Sequence, residues 1–270
     1  MLRILAAAIQ EAPLSSIDVP LIRGGFGRTA RPDRWWIQPL VVFLALTSFL
    51  VYANWAAMQG RHFRYGPYLS PFYSPELLTL RPSWWPGFLT FSSALLILWA
   101  PAGFRLTCYY YRGAYYKAFW ADPPSCAVSE PRARYRGENS FPLILQNLHR
   151  YFLYVALVFL LILAFDVWQA LWFADGFGIG VGTLVLAINV ILLGSYTLGC
   201  HSLRHLMGGG RDTLSSARSS ERARKSAYDC VSCLNQRHMR FAWLSLFWVA
   251  FSDLYVRLCS MGFWTDWRLL

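Results

Sequence analysis

Arg105-Leu106-Thr107-Cys108-Tyr109-Tyr110-Tyr111-Arg112-Gly113-Ala114-Tyr115-Tyr116-Lys117-Ala118-Phe119-Trp120 gathers five tyrosines, one cysteine and three cations into one run. An apolar segment ends just before it and a polar loop follows. A soluble core has no use for such a mixture. At a membrane boundary it fits: aromatic rings prefer the headgroup layer, and Arg and Lys reach water from apolar stems.

The rest of the chain agrees. Of its 270 residues 56% are hydrophobic and only 14% charged, where a soluble protein carries about 25% charged residues. The composition therefore predicts an all-α, polytopic membrane protein. Five apolar segments can be drawn, over residues 35–58, 85–104, 151–173, 177–203 and 241–263. Each supplies about the 20 residues a spanning helix needs. Trp35-Trp36 anchors the first at the interface. Gly178, Gly180, Gly182, Gly194 and Gly199 in the fourth permit close packing. Residues 1–34 read as a mature N-terminal arm, without the long apolar run of a cleaved signal, and residues 264–270 as a C-terminal tail. The chain shows no repeat, no Walker motif and no nucleophile elbow.

Lys and Arg orient the segments. Twenty of the 25 fall in the N-terminal arm and in the loops 105–150 and 204–240; five fall on the other side. This split predicts a cytoplasmic N-terminus and cytoplasmic long loops. The net charge of +11 is then the positive-inside signature, and nucleic acid is not an expected partner. The Pro-, Tyr- and Phe-rich loop Gly60–Trp84 is expected along the outer interface. Gly208-Gly209-Gly210 is expected to end the fourth helix, and Thr213–Lys225 to form an exposed linker or surface helix.

Cysteine and histidine carry the chemical signal. Cys108, Cys126, Cys200, Cys230, Cys233, His149, His201, His205 and His238 all fall on the predicted cytoplasmic side; only His62 and Cys259 do not. A plain reading is reduced cytoplasmic thiols and interfacial histidines. The sharper one is a metal or iron–sulfur site, because thiolate and imidazole together suit zinc or a Rieske-type two-iron cluster. His201 and His205, four apart, face the same way on a helix. The lone Cys230-Val231-Ser232-Cys233 is weak evidence for zinc. A di-haem cytochrome b needs axial ligands at two depths, and the outer half offers only His62; a single inner haem b stays open. Asp253 and Arg257 are four apart on the fifth helix, and Asp166 lies on the third. They read as a clamp between helices, or alternatively as the proton path of a channel or transporter.

Several motifs resemble the membrane-anchor subunit of actinobacterial-type succinate dehydrogenases, a subgroup of complex II. They are Thr107-Cys108-Tyr109-Tyr110-Tyr111-Arg112, Ala114-Tyr115-Tyr116, Phe119-Trp120 and Pro123-Pro124-Ser125-Cys126-Ala127-Val128. The likeness continues through Glu130-Pro131, Tyr135, Gly137-Glu138, Phe141-Pro142-Leu143-Ile144, Gln146-Asn147 and His149-Arg150-Tyr151. It extends to Cys200-His201-Ser202, Arg204-His205, Leu234-Asn235, Arg237-His238 and Phe241-Ala242-Trp243. The resemblance implies a five-helix anchor for a flavoprotein subunit and an iron–sulfur subunit. This bacterial inner-membrane complex would pass electrons from succinate to a quinone, menaquinone, at the meeting of the tricarboxylic acid cycle and the respiratory chain. This chain would then hold no flavin or dicarboxylate site of its own, and a Rieske-type [2Fe–2S] cluster is implied within it. Drawing one ligand from each helix mouth selects Cys108, His149, Cys200 and His238, with Cys126, His201 and His205 as alternates. For the quinone, Arg112, Tyr116, Gln146, Arg150 and Tyr151 offer donors and Trp120 an apolar wall.

Overall fold

The computed structural model describes residues 27–29, 31–78, 80–88, 91–129, 139–141, 143–209 and 219–270. Most of the expected N-terminal arm lies outside the described residues, as do Glu130-Pro131, Tyr135, Gly137-Glu138, Pro142 and the stretch 210–218. The chain forms α1 (Ile37–Gln59), α2 (Ser93–Ile97), α3 (Trp99–Thr107), α4 (Tyr109–Phe119), α5 (His149–Gln169), α6 (Val181–Leu198), α7 (His201–Gly208), α8 (Ser219–Gln236) and α9 (His238–Ser260). Two antiparallel hairpins of two-residue strands, β1–β2 (Arg64–Tyr65, Tyr68–Leu69) and β3–β4 (Trp172–Phe173, Gly176–Phe177), lie at one end.

Four helices are long and apolar enough to cross a membrane: α1, α5 with the 3-10 turn Leu143–Leu148 before it, α6 and α9. Their outward residues, such as Val41, Leu44 and Val51 on α1 and Val158, Leu161 and Phe165 on α5, are exposed and apolar, as lipid-facing surfaces must be. The largest interface is α6 against α9, while α3 packs on α5 and α4 on α1.

The segment expected at 85–104 differs from the others. Helix begins only at Ser93 and is interrupted at Leu98. Pro101 explains the interruption: it has no N–H for the Ile97 carbonyl, so the helix restarts with Pro101 in its first turn, where that N–H is dispensable. Together α2 and α3 run about 22 Å, shorter than a full crossing. The restarted α3 lies unusually close to α5. A Cβ on Gly103 would stand 2.2 Å from the Phe152 ring, so only glycine fits.

Two further expectations need correction. The fourth helix stops at Leu198, not at the triple glycine; Gly199 and Cys200 break it, and α7 is a separate helix. Asn235 on α8 donates to the Gly199 carbonyl at 2.8 Å, so the break leaves that buried acceptor satisfied. The loop after α1 does not lie flat on the interface. Tyr68, Ser70, Phe72, Tyr73 and Ser74 are buried, and the four hydroxyls among them find partners inside the bundle: the Tyr73 hydroxyl donates to the Ala56 carbonyl at 2.8 Å and accepts from the Gly60 amide at 3.0 Å, closing the end of α1. The surface helix expected near Thr213–Lys225 is found from Ser219, carrying the exposed Cys230 and Cys233.

Candidate functional site

Opposite the hairpins, two helix breaks bring two cysteines inward. Cys108 separates α3 from α4 with φ −63°, ψ 129°; Cys200 separates α6 from α7 with φ −64°, ψ 138°. Each is the extended residue before a new helix, and each is buried within one cluster. Two histidines meet them, and both open a spanning helix, His149 on α5 and His238 on α9.

The four side chains pair crosswise. His149 Nε2 lies 3.0 Å from Cys200 Sγ, and His238 Nε2 lies 3.8 Å from Cys108 Sγ. Four residues before each cysteine stands an aromatic ring, and that ring stacks on the other pair's histidine. Phe104 stacks on His149 with centroids 4.6 Å apart, and Tyr196 stacks on His238 at 4.9 Å. Each broken segment, Phe104–Cys108 and Tyr196–Cys200, therefore gives its ring to one histidine and its sulfur to the other.

Hydrogen bonding fixes one imidazole. The Thr107 hydroxyl donates to the Gly103 carbonyl at 2.7 Å and so must accept at His149 Nδ1, 3.0 Å away. His149 then carries its proton on Nδ1, and the Nε2 lone pair faces Cys200. This is how ligating histidines are oriented, the remote ring nitrogen held by a neighbouring acceptor. His238 Nδ1 is buried without a partner among the described residues. Burial pushes the Cys200 thiol up, and the nearby Cys108 adds to the shift. Burial also pushes the Tyr111 hydroxyl up to about 12, keeping it a neutral donor.

The alternates are not brought into this group. Cys126 is exposed in the loop beside the arm, where Arg31 donates to its carbonyl at 3.1 Å. His201 and His205 are exposed on α7. Among the described residues, no three His, Cys, Asp or Glu side chains converge as a single metal ion requires; the four side chains meet as two Cys–His pairs. Of the residues expected for a quinone, Arg112 donates to Gln146 and lies over the Tyr109 ring, and Tyr116 stands against Trp120. Arg150 and Tyr151 are exposed at the start of α5.

At the hairpin end the charged residues are matched. Asp253 and Arg257, both fully buried, pair at 3.3 Å. Tyr52 donates to Asp253 at 2.6 Å and Ser70 donates to its other oxygen. Arg257 also donates to the Arg61 carbonyl at 3.0 Å and to the Ala56 carbonyl at 3.3 Å. Asp166 receives the Ser74 hydroxyl. These bonds tie α9, α5, α1 and the segment after β2 together. His62 sits here beside Ser260 Oγ, 3.4 Å away.

Phe104, Thr107, Tyr196 and Arg105 escaped the sequence reading. Phe104-x3-Cys108 and Tyr196-x3-Cys200 repeat one spacing, a signal that could have found the two rings. The Arg105 guanidinium lies over the Tyr196 ring at 4.7 Å and donates to Tyr111, the Ala242 carbonyl and Ser245. Arg105, Phe104 and Tyr196 also close one end of an apolar cavity of about 350 Å³ between α1, α3, α5 and α6.

Comparisons with known proteins bear on this arrangement. The family model for the actinobacterial succinate dehydrogenase subunit SdhC matches residues 37–262. A chain solved in the Mycobacterium smegmatis Sdh1 complex in the apo form is similar, at 40% identity and a TM-score of 0.81, over 94% of this chain and 98% of that one. No curated protein matches.

Proposed function

This chain belongs to the actinobacterial succinate dehydrogenase SdhC family, and from that premise we propose how it serves as the complex's membrane anchor. It is a multi-pass protein of the bacterial inner membrane and assembles with a flavoprotein and an iron–sulfur subunit. Electrons taken from succinate leave the complex on a membrane quinone, menaquinone in our reading, at the Cys/His end of this chain.

The observation that carries the reading is the convergence of two thiols, Cys108 and Cys200, and two imidazoles, His149 and His238, at one end of the bundle. Two thiols and two imidazoles are the donor set of a Rieske-type [2Fe–2S] cluster, and His238 Nδ1 belongs to a ring whose hydrogen bonding is incomplete among the described residues. The four residues would hold such a cluster, which supplies one-electron transfer when bound. The protein's part is orientation and exclusion of water. Thr107 sets the His149 tautomer, Phe104 and Tyr196 hold the imidazole planes, and Tyr111 and Trp243 close the pocket between α4 and α9.

We read the topology as five crossings, with the broken α2–α3 segment as the short one and the N-terminus in the cytoplasm. Two features support this. The loops 105–150 and 204–240 carry 15 of the 25 Lys and Arg and connect the helices that bear Cys108, His149, Cys200 and His238, and the three segments that should face outward meet at the other end. There the Tyr68 hydroxyl bonds Asp266 at 2.7 Å, and Gly180 bridges to Arg268. Arg112, Gln146, Tyr116, Trp120, Arg150 and Tyr151 form the interfacial surface through which partner and quinone approach.

The test is the purified complex. Succinate:quinone reductase activity, with iron and acid-labile sulfide attributable to this chain and no haem absorption, is the expected result. Strong haem b bands would remove the cluster from the account, and absence of a flavoprotein partner would remove the function.

A further inference from the structure

Arg105 and Arg257 both lie within the spanning segments, and their partners differ in kind. Arg257 is neutralised by Asp253. Arg105, half-buried, has only neutral partners among the described residues: the Tyr111 hydroxyl, the Ala242 carbonyl and the Ser245 hydroxyl. Asp166 and Asp253 are engaged at the hairpin end, and Asp253 lies about 12 Å beyond Ser245 along α9. A cation at this depth is costly unless an opposite charge shares its site. Among the described residues, Arg105 has none.

Its place is beside the Cys/His group. The guanidinium lies over the Tyr196 ring at 4.7 Å, and that ring stacks on His238 at 4.9 Å. The cation therefore stands no more than about 10 Å from the His238 imidazole. Its neutral partners hold it there: Ser245 and the Ala242 carbonyl come from α9, and Tyr111 donates to that same carbonyl. Tyr196, the ring in between, is fully buried, so water does little to screen charge along this line.

Charge counting supplies the missing partner. Two ferric ions, two sulfides, two thiolates and two neutral imidazoles sum to zero, and one added electron makes the set an anion. We infer that Arg105 is the counter-charge of the reduced cluster and raises its reduction potential. The inference rests on the proposed role of Cys108, His149, Cys200 and His238 as ligands. The electron comes from the iron–sulfur subunit and goes on to the quinone. Arg105 keeps its protons throughout and acts only as a fixed cation that favours the reduced state. It is a positioning residue, not a catalytic one.

The experiment is a redox titration of the whole purified complex, read by the electron paramagnetic resonance signal that His149→Ala/His238→Ala removes. Arg105→Leu should shift the reduction equilibrium about tenfold toward the oxidised form, about 59 mV downward for one electron. Arg105→Lys keeps the charge and should stay within about twofold of the wild type. Ser245→Asp leaves the guanidinium in place and sets a carboxylate against it, as Asp253 is set against Arg257. It should lower the potential as far as Arg105→Leu does. Ser245→Ala removes only the hydrogen bond and should change the equilibrium by less than about twofold. Should Arg105→Leu misassemble, the two Ser245 variants decide. Unchanged potentials in Arg105→Leu and Ser245→Asp overturn the inference. So do potentials that ignore charge, with Arg105→Lys as low as Arg105→Leu or Ser245→Ala as low as Ser245→Asp. A wild-type complex without the signal overturns the ligand reading itself, and this inference with it, which is a distinct outcome.

Discussion

The two ends of the bundle both bury polar groups, but they treat them oppositely. At the hairpin end Asp253 accepts from Tyr52, Ser70 and Arg257, and Arg257 finds two further carbonyls. At the Cys/His end two thiols face two imidazoles, and among the described residues one ring nitrogen lacks a partner and Arg105 has no carboxylate. Polar groups that the chain saturates by itself hold helices together. In our proposal, those it leaves incomplete beside the two thiols are completed by a cofactor.

If that contrast is right, substitutions at the two ends must report on different things. The largest effect is expected from His149→Ala or His238→Ala, which should lower quinone reduction on the order of a hundredfold or more, with the complex still assembled by its flavin content. Retained activity would dissolve the distinction. Arg257→Leu should do the reverse. Stranding Asp253 costs about 3–5 kcal/mol, read as a lower midpoint in detergent unfolding, and the double Asp253→Leu/Arg257→Leu should recover most of it. A double variant that still fails to reduce quinone once assembled would point to a proton path at this end. Next come two glycines in equivalent straits. A Cβ on Gly182 would meet the Tyr68 ring at 2.4 Å, and one on Gly103 the Phe152 ring at 2.2 Å, so each alanine should cost about 1–3 kcal/mol. Only Gly103→Ala, which pushes α3 and its Cys108 from α5 and its His149, should also depress quinone reduction. The smallest pair is Tyr52→Phe and Thr107→Val, each losing about 1 kcal/mol of hydrogen bonding; Thr107→Val should alone alter the spectrum of the Cys/His site, because it frees the His149 tautomer.

Much of this was legible in the residues. Hydropathy marks the four long helices within a few positions, and Cys108, His149, Cys200 and His238, drawn one from each helix mouth, meet in the fold as two Cys–His pairs. The departures have local causes. Pro101 interrupts the second segment, and helix begins in it only at Ser93, which its apolar composition alone does not reveal. The breaks at Cys108 and Cys200 follow from tertiary packing: each lets a thiol turn inward, and no strong helix breaker announces the first. The buried loop after α1 resembles an interfacial one in composition, since the same tyrosines serve headgroups or carbonyls. Arg105 sat in plain view within the aromatic run. Its difference from Arg112 is a matter of facing: one turns toward α9 and the cavity, the other toward Gln146 at the surface.

The central claim is that Cys108, Cys200, His149 and His238 together hold a two-iron cluster. Electron paramagnetic resonance of the purified, dithionite-reduced complex tests it most directly, comparing the wild type with His149→Ala/His238→Ala and with Arg257→Leu. The account predicts a rhombic Rieske-like signal in the wild type, its loss in the histidine variant and its persistence in whatever fraction of Arg257→Leu assembles. A signal that survives removal of both histidines, or a wild-type complex without one, would contradict it.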